Sequence, residues 1–499
     1  MRFLIVLLFF VLAAVTGFGQ QQTLYMNDST IVGKGKIVDN KKEGEWILYN
    51  TETQLTEIGI FENNRRTGKW EVYSPDETKL LEISYVADRV DGKYKTFYQN
   101  GRLYVSGELQ DTLKTGLWKE YYPDGILKSE GMYEKGLKTG LWNYYKDSGL
   151  PYIEAEYTRD TLNGSYKEYY LFGDLMNSGS YNMGVKEGLW QEYNSYGYVS
   201  VSCKYEEGMK NGECVEYYDD GSVMARKNYD MDFPAGKWVF YYGNGQKKNE
   251  MTFENGFLEG EYIEFHPNGK VSVIGKYVLG KKVDIWKNYY DTGVLFSMGQ
   301  YLDDKKNGLW KYFNAYGYLV SEGNFKDGLE DGQWFFFYDD DEIESIGSYV
   351  EGKQDGLWGL FWRNGNLKQE ETWKEGKLTG ITDVYFEDDT MSAGNFSGGN
   401  GIRMIYDENK QVREKVEYKD GEVNGLFETY DASGNLTVRG EMKDGKKNGS
   451  WVYYYDNGNI ESRGNYTDDL LTGKWEFYNR RGKLKEEVSY LTPEEKDES

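Results

Sequence analysis

The chain has 499 residues, with 83 Asp and Glu against 59 Lys and Arg, a formal net charge of −24 and a pI near 4.7. That balance works against DNA, RNA and anionic lipid as partners, because their phosphates need Lys or Arg for neutralisation; a single histidine, His266, removes most histidine-based catalysis and most zinc sites. Aromatic residues at 17%, with 61 Gly and only 6 Pro, exclude a disordered chain and suit strands punctuated by glycine turns.

The N-terminus reads as an export signal. Arg2 precedes the apolar run Phe3 to Val15, and the small residues Gly17 and Gly19 follow it. Cleavage is expected after Gly19, which makes residues 1–19 a signal peptide and the protein periplasmic or extracellular. The other reading is an uncleaved anchor, for which the run is short against about 30 Å of hydrocarbon. No Cys follows the run, so lipid modification at an N-terminal cysteine is excluded. Residues 20–43 read as a degenerate capping repeat: Tyr25, Ile31, Gly35 and Ile37 fit the grid described next, while its Trp position is Gln22.

From Gly44 a strict repeat begins. An anchor glycine recurs every 24 residues, as at Gly68, Gly116, Gly140 and Gly260, with Asp284 in its place once, until Gly380; the next anchor, Gly401, is only 21 residues on, and the spacing of 24 then resumes to Gly473. That makes 19 units. With the anchor as position 0, position 2 is Trp in 12 of them: Trp46, Trp70, Trp118, Trp142, Trp190, Trp238, Trp286, Trp310, Trp334, Trp358, Trp451 and Trp475. Position 5 is Tyr or Phe in every unit, including Tyr121, Tyr145, Tyr169, Tyr193, Tyr217 and Tyr241. Position 9 is mostly Gly, position 15 often Gly, and position 17 usually Tyr or Phe.

Each unit reads as a β-hairpin. A first strand covers roughly positions 1–7, and pairs such as Asn100-Gly101 and Asp124-Gly125 at positions 8 and 9 predict a type I′ turn. A second strand covers roughly positions 10–18, and a turn near Gly136 leads to the next unit. Folding the hairpin sets the Trp at position 2 opposite the Gly at position 15, where a ring has room to lie over the backbone. The same folding sets position 15 opposite position 2 of the next unit. Cys203 and Cys214, the only cysteines, occupy those two places, so a disulfide between them is expected in an exported protein. Positions 2 and 5 fall on opposite faces of a flat strand; the pattern leaves open whether both faces carry aromatics or a bulge turns the strand.

The fold expected is therefore all-β, an elongated, solenoid-like single sheet of about 19 β-hairpin repeats of 24 residues, with a length on the order of 180 Å from the strand spacing. Regular repeats fill residues 44–379 and 401–490, a short irregular repeat fills 380–400, and the acidic tail 491–499 is expected to be disordered. The segment from Asp383 to Gln411, with Thr382 and Arg403 at the two Trp positions, is either a kink or a site.

The pattern Gly-x-Trp-x-x-Tyr-x-x-x-Gly-x-Leu-x-x-x-Gly-x-Tyr-x-x-Gly, filled by Trp118, Tyr121, Gly125, Leu127, Gly131, Tyr133 and Gly136, resembles the MORN repeat in its bacterial variant form, over about residues 20–490. The resemblance implies a β-hairpin array serving as a scaffold, a protein-interaction module or a membrane-associated platform; many bacterial variants carry an antitoxin label, which implies a neutralising partner of another protein. A second resemblance, of Trp-x-x-Tyr-Tyr-x-x-x-Gly to the shorter choline- and glucan-binding repeats of cell-wall proteins, implies a glycan-binding module of the cell envelope.

No constellation of catalytic residues stands out, and neither cofactor nor metal is expected. The glycines lie on the repeat grid and lead into strands, unlike a phosphate-binding loop. Clusters such as Asp339-Asp340-Asp341-Glu342 lack the spacing of a calcium loop and read as solvated turns. The function expected is a non-enzymatic exported scaffold with an unidentified protein partner, a glycan being the alternative ligand. The consensus Trp and Tyr are needed by the array itself. Function is therefore sought where the grid breaks: at Cys203 and Cys214, at Asp284, and at the short step from Gly380 to Gly401.

Overall fold

The computed structural model describes residues 23–27 and 30–491, and every regular element among them is a strand. The expected signal peptide, 1–19, lies outside the described residues, as does the tail beyond Leu491. The chain divides into two compact units, Met1–Gly236 and Lys237–Ser499.

In the first unit antiparallel strands follow one another in chain order. A first hairpin pairs Thr23–Asn27 with Ile31–Val38, and a later unit is typical of the rest. Leu113–Tyr121 pairs with Leu127–Glu134, which pairs in turn with Leu137–Tyr145. Trp118 stands opposite Gly131 and Gly116 opposite Tyr133, the register expected from folding the repeat. The first strand begins three residues before the anchor glycine rather than after it. Met132 pairs with Thr139 and Gly131 with Trp142, so Gly140 and Leu141 form a bulge on that side, with Gly140 at a φ of 63°. Here the anchor position needs a left-handed backbone, and Asp284 takes it up where glycine is missing, with a φ of 59°.

The turn at positions 8 and 9 is not of the type expected. At positions 6–10 the Gly125 N–H donates to the Tyr122 carbonyl and the Tyr122 N–H to the Ile126 carbonyl, each at 2.8 Å, and only Gly125 has a positive φ. This is a type I turn closed by a glycine bulge, not a type I′ turn. The reason lies in Asp124, whose carboxylate accepts the Ile126 N–H at 3.0 Å and so holds the turn without a left-handed residue. The type I′ geometry belongs to the other turn, where Lys135 and Gly136 have φ of 50° and 85°.

Both faces of the sheet carry aromatics. On one face the Trp ring lies flat over the position-15 glycine of the preceding hairpin, as Trp142 does over Gly131 and Trp118 over Gly107. Its indole N–H donates to the carbonyl of position 16: Trp142 to Met132 at 3.1 Å, Trp190 to Ser180 at 2.9 Å. Tyr133 meets Trp142 edge-on at 5.0 Å. A cation two residues before the anchor covers the ring from outside: Lys138 over Trp142 at 4.5 Å, Arg66 over Trp70 at 4.4 Å. On the opposite face lie the half-buried position-5 tyrosines, Tyr121, Tyr145, Tyr169, Tyr193 and Tyr217. Their hydroxyls reach back one unit, Tyr169 to Glu154 at 2.9 Å and Tyr145 to Glu130 at 3.3 Å.

Cys203 and Cys214 are paired across neighbouring strands and joined by a disulfide. They stand where other units have Gly and Trp, and each is 2% exposed. Burial shields the bond, so native protein is expected to resist a mild reductant while unfolded protein does not. Once reduced and refolded, or as Cys203→Ser with Cys214→Ser, the chain is expected to lose about 2–3 kcal/mol. Hydrogen exchange over Val199–Tyr217 with and without the bond checks this, and an unchanged protection pattern would refute it.

The second unit repeats the same scheme. Trp286, Trp310, Trp334 and Trp358 are buried over Gly275, Gly299, Gly323 and Gly347, with Lys282 and Lys306 above the first two. Trp238 is only half-buried and packs on Phe253 at 4.7 Å, and Tyr241 is likewise half-buried. The array is interrupted once. Its sheet stops at Lys377–Ile381, a two-stranded hairpin of Val384–Tyr385 and Thr390–Met391 follows, and a sheet of eight strands runs from Gly401–Tyr406 to Leu484–Tyr490. In that last sheet Trp451 and Trp475 again lie over glycines, Gly440 and Gly464.

Candidate functional site

In many regular units the turn at positions 6–10 is stitched to the next in the row by a side-chain rung, while Ser74, Asn194 and Asn314 at position 6 bond within their own turns. A rung donates from the position-6 side chain to the position-5 carbonyl of the next unit: Tyr98 to Tyr121 at 2.7 Å, Tyr122 to Tyr145 at 2.9 Å, Tyr290 to Phe313 at 3.1 Å. His266 is one such rung, its Nε2 lying 2.9 Å from the Tyr289 carbonyl, which makes it structural. Trp362 is the rung at the edge of the break, its indole N–H donating to the Tyr385 carbonyl at 2.7 Å. The next position-6 residue is Phe386, which has no donor. With a shortened repeat behind it, the row opens there into a cavity of about 540 Å³.

Three successive turns line that cavity. Trp362, Arg363, Asn364 and Asn366 come from the first; Phe386, Glu387 and Asp388 from the second; Glu408 and Lys410 from the third. Trp362 and Phe386 face each other at 5.1 Å, with Lys368 over Trp362 at 4.3 Å and Lys410 over Phe386 at 5.6 Å. Burial, reinforced by Arg403, pushes the Lys368 ammonium below the usual lysine range. Arg363 is held by Asp339 at 2.7 Å and Asp340 at 2.8 Å, and Lys410 by Asp388 at 2.8 Å. The hydrogen bond from Lys410 in turn lowers the Asp388 carboxyl pKa. Glu387 and Glu408 form no ion pair among the described residues. Asp339 and Asp340, read from sequence as a solvated turn, thus serve to anchor Arg363 at the cavity.

Behind the cavity the break is closed by charge instead of an indole. Arg403, at a Trp position, reaches back to the strand Leu367–Lys374. Its guanidinium donates to Glu371 and, at 2.9 Å, to Gln369. Glu371, at a position-15 site, also accepts the Trp373 N–H at 2.8 Å. Both charged side chains are 10% exposed or less. A backbone seam adds to this: the Leu378 N–H donates to Gly421 at 3.1 Å and the Gly421 N–H to Gly399 at 2.8 Å. A Cβ on Gly421 would press on Lys377 and the Leu378 carbonyl.

A second surface is built by the bulges. The residue after the anchor glycine points away from the Trp face, and up to the break, where it is aliphatic, it is exposed. In the first unit Leu117, Leu141 and Leu189 are about half exposed, with Met132 directly opposite Leu117. In the second, Ile285, Leu309 and Leu357 repeat the pattern. Salt bridges such as Lys119–Glu130 at 2.9 Å and Lys311–Glu322 at 2.7 Å flank the aliphatic residues on the same face.

The sequence located the break and the disulfide pair. It missed the lysine or arginine that covers many of the indoles, although Lys or Arg two residues before the anchor was a readable signal, and it missed Arg403 and Glu371 as partners.

The family described as MORN repeat variant matches residues 114–135, 210–231, 235–255, 258–278, 354–375, 400–420, 447–468 and 471–491. Among curated proteins nothing matches. Among solved structures the chain is similar to the crystal structure of TcdB2-TccC3, at 10% identity and a TM-score of 0.13, covering 93% of this chain and 27% of that one. It is similar also to a Tc holotoxin pore of Photorhabdus luminescens, at 10% identity and a TM-score of 0.12, covering 94% of this chain and 31% of that one. The chain thus spans less than a third of the length of those chains.

Proposed function

Since this chain belongs to the MORN repeat variant family, we propose that it is a non-enzymatic, exported scaffold whose hairpin array holds a protein partner on the face opposite the tryptophans. The observation that carries this reading is the exposed aliphatic stripe. The Trp of a regular unit, the Gly beneath it and, in many units, the cation above it are consumed by packing between hairpins, while Leu117, Met132 and Leu141 stand in water on adjacent strands. Nothing in the array uses them, and a stripe of aliphatics between charge pairs is the composition of a docking surface with a polar rim. Export is supported by the disulfide, which an oxidising compartment maintains. The non-enzymatic reading is supported by His266, whose ring is spent on a structural rung.

Photo-crosslinking in the native envelope tests the scaffold reading. A crosslinker at Leu141 or Leu309 is expected to yield one discrete adduct, and Leu117→Glu with Leu141→Glu to abolish it with the melting curve unchanged. Adducts that form equally well from the exposed turn residue Asn100 would sink the proposal.

A further inference from the structure

We propose that the cavity in the interrupted turn row binds a short neutral saccharide. This goes beyond the scaffold reading and does not depend on it. The argument starts from what the cavity walls offer. The volume of about 540 Å³ lies within the range of small-molecule sites, roughly 300–1,000 Å³, and leaves room for more than one sugar ring. It lies at the break: many regular turns are closed by a Tyr, His or Trp rung, whereas here the position-6 residue is Phe386 and the repeat behind it is shortened.

The charges then decide the ligand class. Of the two cations that line the cavity, Arg363 is held by Asp339 and Asp340 and Lys410 by Asp388, so an anionic ligand would have to displace a carboxylate. A cationic ligand would compete for rings that Lys368 and Lys410 already cover. An apolar ligand would make no use of the polar groups that line the cavity, Glu387, Glu408, Asn364 and Asn366. A neutral polyol meets all of these groups at once. Its hydroxyls donate to the Glu387 and Glu408 oxygens, and they accept from the side-chain amides of Asn364 and Asn366. The ion pairs hold the cations in fixed positions as further donors. The half-buried ring of Phe386 offers an apolar patch for the C–H face of a pyranose.

The test is calorimetric titration of the full chain with three uncharged probes: cellotriose, maltotriose and tri-N-acetylchitotriose. Spermidine and inorganic phosphate serve as charged controls. At least one trisaccharide is expected to bind with a stoichiometry of one. Glu408→Gln and Phe386→Ala are each expected to weaken it by about tenfold or more. Glu408 is on the surface, so its variant reports on binding even if Phe386→Ala perturbs the loop. Absence of binding by all three sugars at millimolar concentration would overturn the proposal. So would binding that both variants leave unchanged, or tighter binding of spermidine or phosphate that Glu408→Gln alters. The crosslinks from Leu141 and Leu309 are unaffected by these variants, so failure here and failure of the scaffold reading are distinguishable.

Discussion

Gly323→Ala is expected to destabilise its neighbourhood by about 3–5 kcal/mol, as much as removing a core tryptophan outright. Gly323 has an ordinary backbone conformation, so the cost is not one of φ. A Cβ there would stand closer than 3.0 Å to three atoms of the Trp334 indole. Trp334 has no way to yield in place. Its N–H is tied to the Asn324 carbonyl at 3.1 Å, and its ring packs on Phe325 at 5.3 Å and on Phe336 and Tyr349 at about 6 Å. The substitution therefore unseats the ring. Once Trp334→Ala has already emptied the slot, adding Gly323→Ala is expected to cost less than about 1 kcal/mol, and a double-mutant cycle measures that coupling. In a repeat array each hairpin leans on its neighbours. Hydrogen exchange is thus expected to lose protection over Leu319–Lys326 and Leu329–Phe337 while Ile460–Thr467 stays protected. Additive costs, or loss of protection throughout the chain, would refute the account.

Arg403→Leu is expected to cost about 3–5 kcal/mol across the break, because it leaves Glu371 buried without its partner. Pairing that change with Glu371→Gln is expected to recover most of the loss. The amide still accepts the Trp373 N–H, and no buried charge remains. Denaturant unfolding monitored in the strands Leu367–Lys374 and Gly401–Tyr406 distinguishes the single from the double variant. If the double variant is as unstable as the single one, the pair is not what closes the break.

The regular part of this protein was largely legible. A repeat of 24 residues with Trp, Tyr and Gly at set places admits few structures, because hairpin pairing is a local matter of registers. The opposition of Trp118 with Gly131 and of Cys203 with Cys214 followed from counting. The turn types did not follow, because Asn-Gly and Asp-Gly suit two geometries. The choice was made by the Asp124 carboxylate capping its own turn and by the bulge at Gly140, which lengthened the first strand toward its predecessor. That bulge turns Leu141 outward, as the equivalent bulge at Gly116 does Leu117.

The candidate site was legible only as a place. The shortened step to Gly401 and the missing tryptophans at Thr382 and Arg403 marked it. Its contents were not, because they come from residues with no fixed spacing in the repeat. Arg403 meets Glu371 across 32 positions, and Arg363 meets Asp339 across 24. The cavity lies where the repeat is shortened and Phe386 stands in the place of a rung-forming side chain.

The amino-acid sequence by itself determined that this chain is an all-β hairpin array, which strands neighbour which, and where the pattern fails, since nearest-neighbour pairing needs only local period and composition. The tertiary structure alone decided which face is spent on packing and what fills the failure. Those depend on bulges that rotate side chains and on charges brought together from separate units, and no local pattern encodes either.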